Sequence, residues 1–62
     1  MLIYFTDAVT QQQVAVNTKY VIAVFTASEG ELAGKTVIGI VGGNIVVTES
    51  QIDVVGTLQA QL

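Results

Sequence analysis

Seven side chains of this 62-residue chain are charged: Asp7, Glu29, Glu31, Glu49 and Asp53 against Lys19 and Lys35. Paired carboxylates can pass a proton as general acid and base, or hold a hard cation through oxygen. Glu29 and Glu31 share one segment and would take calcium weakly. With no ligand loop and no His around them, solvated carboxylates are the better reading. The chain has neither His nor Cys. That removes imidazole and thiolate chemistry, zinc sites and disulfides together. The run Gly39–Gly43 (GIVGG) lacks the Lys-Ser/Thr of a phosphate loop. It also joins two strand-like runs rather than a strand and a helix. No catalytic chemistry is legible, so the chain reads as a non-enzyme with no cofactor and no metal.

The elements that must position these residues are mostly strands. Leu2–Thr6 (LIYFT) is a short β-type run, followed by a turn at Asp7–Thr10. Gln11–Val16 ends in alternation, with Val14 and Val16 on one face. Asn17-Thr18-Lys19 is a turn, because Asn tolerates left-handed backbone. Tyr20–Thr26 (YVIAVFT) is almost wholly β-branched and aromatic, which favours a strand. Ala27–Gly34 is a loop. Lys35–Val41 and Asn44–Thr48 are two further strands, joined at Gly42-Gly43 by a primed hairpin turn. Gly39 inside the first of them marks a bulge, a bend or a close approach. Ser50 and Asp53 sit as the cap and third position of a C-terminal helix, with Ile52, Val55 and Leu58 as its apolar face. Glu49 precedes that helix, where a negative charge suits the dipole. The expected fold is one mostly β domain over residues 1–62. It is a five-stranded, strongly bent antiparallel sheet or open barrel with a short C-terminal helix.

Such a fold leaves strand edges, and composition decides how they are treated. Half of the residues are apolar (52%) and only 11% are charged, with a net charge of −3. A chain of this length is marginal alone and needs a staple, which without Cys or His must be self-association. Free edges are ordinarily guarded by Lys, Pro or inward charges. The strand stretches Tyr20–Thr26, Val37–Val41 and Asn44–Val47 hold none of these. Edge-to-edge pairing of identical subunits hides such edges in a closed ring. A two-fold dimer, or a monomer whose helix covers one edge, stays open as an alternative. No uncharged run has the length of a membrane span and no secretory leader is evident, so a cytoplasmic location with no membrane partner is expected.

The block Thr36–Val55 (TVIGIVGGNIVVTESQIDVV), with Leu2–Phe5 and Val16-Asn17 before it, resembles the FlbD flagellar family and short phage-type proteins of the same outline. The matching positions are Thr36, Ile38, Ile40, Gly43, Val46, Glu49, Ser50 and Val54-Val55. At the level of the fold, an apolar strand leading into Gly43-Asn44-Ile45 resembles the second signature of Sm-like proteins. That resemblance implies an SH3-like barrel in a homo-oligomeric ring of roughly five to seven subunits. It also implies single-stranded RNA, or DNA, bound near the pore, in the cytoplasm of a host cell if the chain is phage-encoded.

In that frame the pore-facing loops are Asn17-Thr18-Lys19 and Gly42-Gly43-Asn44. Asn17 and Asn44 would read base edges, Lys19 would meet phosphate and Tyr20 would stack, with Gly43 among the residues that contact the strand. Turn chemistry alone also explains both asparagines, and a solvated charge explains Lys19. Tyr4, Phe5, Tyr20 and Phe25 read as core or interface residues before a stacking platform. The competing function is a structural or assembly protein, a virion or flagellar accessory that contacts protein. The two readings differ in charge. Nucleic acid needs Lys19 and Lys35 clustered, whereas a protein partner needs an exposed apolar patch.

Overall fold

The computed structural model describes residues 2–60. Strands β1 (Leu2–Thr6) and β2 (Gln13–Asn17) pair antiparallel, with Leu2 opposite Asn17 and Thr6 opposite Gln13. Strands β3 (Val21–Thr26), β4 (Thr36–Ile40) and β5 (Gly43–Val47) form a second antiparallel sheet in that order. Helix α1 (Gln51–Gln59) ends the described chain. The mostly β composition, the count of five strands and the C-terminal helix follow the sequence reading.

The expectation of one bent sheet is corrected: the described residues form two sheets, linked by an isolated bridge between Asp7 and Val47. Two backbone bonds flank the bridge, Ala8 N–H to Val46 O at 2.9 Å and Thr48 N–H to Thr6 O at 2.9 Å. The physical reason lies in two departures from strand geometry. After β2 the chain turns into a 3₁₀ helix over Thr18–Tyr20, so β2 and β3 never pair. After β5 it leaves for Ser50 and α1, so β1 and β5 meet only at their ends.

Local chemistry accounts for each turn. Asp7 Oδ1 accepts from the N–H groups of Val9 (2.8 Å) and Thr10 (2.9 Å), and Gln11 closes the turn at φ 63°. That left-handed residue delays β2 until Gln13, later than the sequence suggests. The β4–β5 hairpin closes at the pair Ile40–Gly43, with Val41-Gly42 as its loop. Gly42 alone has positive φ (90°), which is the pattern of a type II turn and not of the expected primed turn. Gly43 is the first residue of β5. The irregularity expected at Gly39 is present: the β3–β4 register shifts between Val21 and Ala23, opposite Ile40 and Gly39.

The core is Phe5, Val16, Ile38, Val47 and Val54, all buried, with one or more residues from every strand except β3. Tyr4 and Phe5 face opposite ways, as neighbours in a strand must, and Phe5 alone of the four aromatics is buried. Ser50 caps α1, its hydroxyl accepting from Asp53 N–H at 3.1 Å. The face that α1 buries differs from the expected one. Val54 is fully buried, Val55 and Leu58 are half-buried, and Ile52 is 84% exposed. A spacing of three drifts around a helix with 3.6 residues per turn, whereas Val54 and Leu58, four apart, stay aligned on the core.

Candidate binding groove

The 3₁₀ turn and the tip of the β4–β5 hairpin come together at one end of the molecule. Tyr20 O accepts from Val41 N–H at 3.1 Å, which ties the two loops. Between them lies a groove of about 380 Å³, lined chiefly by Asn17, Tyr20, Ile40, Val41 and Ile45. Its walls are apolar. The lining residues with polar side chains are Asn17 and Tyr20, the latter 50% exposed.

The five residues picked from the sequence divide. Asn17 and Tyr20 line the groove. Lys19 is exposed in the same turn but is not part of the lining. Gly43 and Asn44 begin β5 and lie outside the lining; Ile45, the next residue, takes their place. For Asn44, alternation along the strand explains this, since it faces the opposite side from Ile45. Asn44 lies over Gly39, where a Cβ would sit 3.6 Å from Asn44 Oδ1. Asn17 also does turn work, because its Oδ1 accepts from Lys19 N–H at 3.0 Å and caps the 3₁₀ helix.

The charges are spread out. Lys19 precedes β3 and Lys35 precedes β4, and these strands run antiparallel, so the lysines mark opposite ends of one sheet. Six strand residues separate those ends by about 20 Å. Glu29 and Glu31 are exposed in the loop before Lys35. Among the described residues no group of three His, Cys, Asp or Glu side chains could hold a metal ion. No helix among them is long and apolar enough to cross a membrane.

One residue has a role that the sequence did not reveal. Its place in the sequence suits Glu49 to the helix start, yet both of its carboxylate oxygens accept from Thr6 N–H, each at 3.0 Å. Partial burial works against its charged form. Hydrogen bonds from Thr6, from its own amide and from Thr48 outweigh that, and its pKa falls below the ordinary value of 4.5. The Asp7 carboxyl is also held below its ordinary value by the backbone N–H groups of Thr10 and Val9. Thr6 and Glu49 are 43 residues apart, and no local pattern announces such a pair.

Compared with known proteins, the chain matches no family model, no curated protein and no solved structure.

Proposed function

We propose that this chain is a non-catalytic, homo-oligomeric assembly protein whose working surfaces bind protein, beginning with its own copies. The observation that carries this is the apolar surface left open. Ile52 is 84% exposed, Val9 75%, Ile22 70%, Val41 66% and Tyr4 63%. The outer strands β2 and β3 carry no charged residue that would ward off another strand. A ring of five to seven copies, as the Sm-like resemblance implies, would join unlike edges, β2 to β3. A two-fold assembly would use one edge twice.

The second reading, single-stranded RNA or DNA, is favoured by the groove at Asn17 and Tyr20, with Lys19 beside it. The separation of the two lysines weighs against it, because phosphate binding draws on clustered cations.

Sedimentation of the purified chain, followed by titration with a fluorescent oligo-U strand at low and moderate salt, separates the readings. An oligomer that ignores the strand supports assembly. Salt-sensitive binding that Lys19→Ala abolishes and Lys35→Ala spares would install the nucleic-acid reading instead. A monomer at all concentrations would overturn self-association.

A further inference from the structure

Two hollows flank α1 on the side that faces β3, of about 720 and 320 Å³, and they share Val55 and Gln59 of the helix. The larger opens over the end of the sheet at Thr26, Gly34 and Thr36, the smaller runs along β3, and together they make one trough. The smaller is lined by the consecutive residues Val21 to Val24. Side chains of consecutive strand residues point to both faces. The hollow therefore follows the strand's edge and not one face of the sheet.

That edge is an unfilled hydrogen-bonding row. Ala27 N–H donates to Lys35 O at 2.9 Å, continuing the register in which Thr26 faces Thr36. Bonded and non-bonded pairs alternate along an antiparallel ladder. Val24 and Thr26 consequently turn their N–H and C=O groups away from β4. The helix wall opposite is asymmetric. Val55, Ile52, Gly56 and Gln59 face the trough, while Asp53 and Thr57 lie on the other flank. A glycine inside a helix costs about 1 kcal/mol relative to Ala. Among the described residues outside its own helical turn, nothing lies within 4 Å of a Cβ placed at Gly56, so no packing among them calls for glycine.

We propose that the β3 edge and this flank of α1 form a two-fold contact with the same patch of a second copy of the chain. The contact rests on the homo-oligomer reading and names its surface. A two-fold axis brings a patch against itself, so any charge in it would meet its own like. None of the residues lining the trough is charged, in a chain of net charge −3. Pairing about Val24 joins its N–H and C=O to those of Val24 in the second copy, and two three-stranded sheets become one of six. The patch is also self-complementary. Ile52 projects and Gly56, four residues on and on the same face, leaves a gap, so each isoleucine enters the gap of the other helix.

The test is sedimentation equilibrium on the wild type, Ile22→Lys, Gly56→Leu and the control Thr57→Lys, with circular dichroism to establish folding. Ile22 and Gly56 are both exposed, and leucine is a better helix former than glycine, so the variants retain the fold. The expected result is a wild type and control at twice the chain mass and both variants at half of that. If Gly56→Leu does not fold, Ile22→Lys alone decides. A wild-type dimer that persists in folded variants, or a larger closed ring, would overturn this contact while leaving self-association intact. A wild-type monomer would overturn both.

Discussion

At the scale of single residues, Glu49 ties the two sheets together. Its carboxylate takes Thr6 N–H beside the bridge between them. A charge-assisted bond in a half-exposed position contributes about 1 kcal/mol. Glu49→Gln is therefore expected to lower the unfolding free energy at neutral pH by about that amount, read as a lower urea midpoint with an unchanged slope. The folded pKa of Glu49 lies below its ordinary 4.5, so its contribution is complete above about pH 4.5 and is lost as pH falls through the folded value. Wild type should lose stability across that acid window, and Glu49→Gln should lose less. Equal pH profiles would show that the carboxylate does not perform this role. Asp7 shifts in the same direction, so part of the acid limb survives in the variant. Asp7 and Ser50 were legible because their partners lie two or three residues away. The Glu49 pairing was not, because only the folded chain brings position 6 to position 49.

At the scale of elements, composition located the strands and turn chemistry set their ends. The β-branched run that became β3 was unmistakable, and a 3₁₀ turn took Tyr20 from its start. The sequence starts a strand at Gln11, because nothing local marks a glutamine for left-handed backbone, yet Gln11 holds φ 63°. In the hairpin, two adjacent glycines suggested two residues at positive φ. Only Gly42 has one, so Gly42→Ala is expected to cost about 1 kcal/mol and Gly43→Ala much less. Equal losses at both positions would show that a primed turn forms after all. For α1, the buried face is Val54 with Leu58, and Val54→Ala should cost about 2 kcal/mol while Ile52→Ala costs little in a monomer. Thermal or urea unfolding at low protein concentration reads both. A larger loss at Ile52 would restore the face expected from the spacing of three.

At the scale of the whole molecule, the same physics makes the fold and leaves it unfinished. The sequence showed that edges would exist and that no charge guarded them. It did not show that α1 would lie along β3 with a trough between, because that placement follows from which helix face the core takes. With Val54 and Leu58 turned inward, Ile52 and Gly56 are left facing the trough. An assembly closed by such surfaces has a recognisable response to salt. A contact between charged patches weakens as ionic strength rises. A contact between neutral apolar patches holds, and sulfate strengthens it by being excluded from protein surface. The dissociation constant from sedimentation should therefore stay level in sodium chloride and fall in sodium sulfate. The melting temperature should climb with protein concentration, since mass action links folding to association. A dissociation constant that rises with sodium chloride would place the charged residues in the contact and move it away from β3 and α1. A melting temperature independent of concentration would mean that the trough stays open to water, and that Val54 and its neighbours hold the fold unaided.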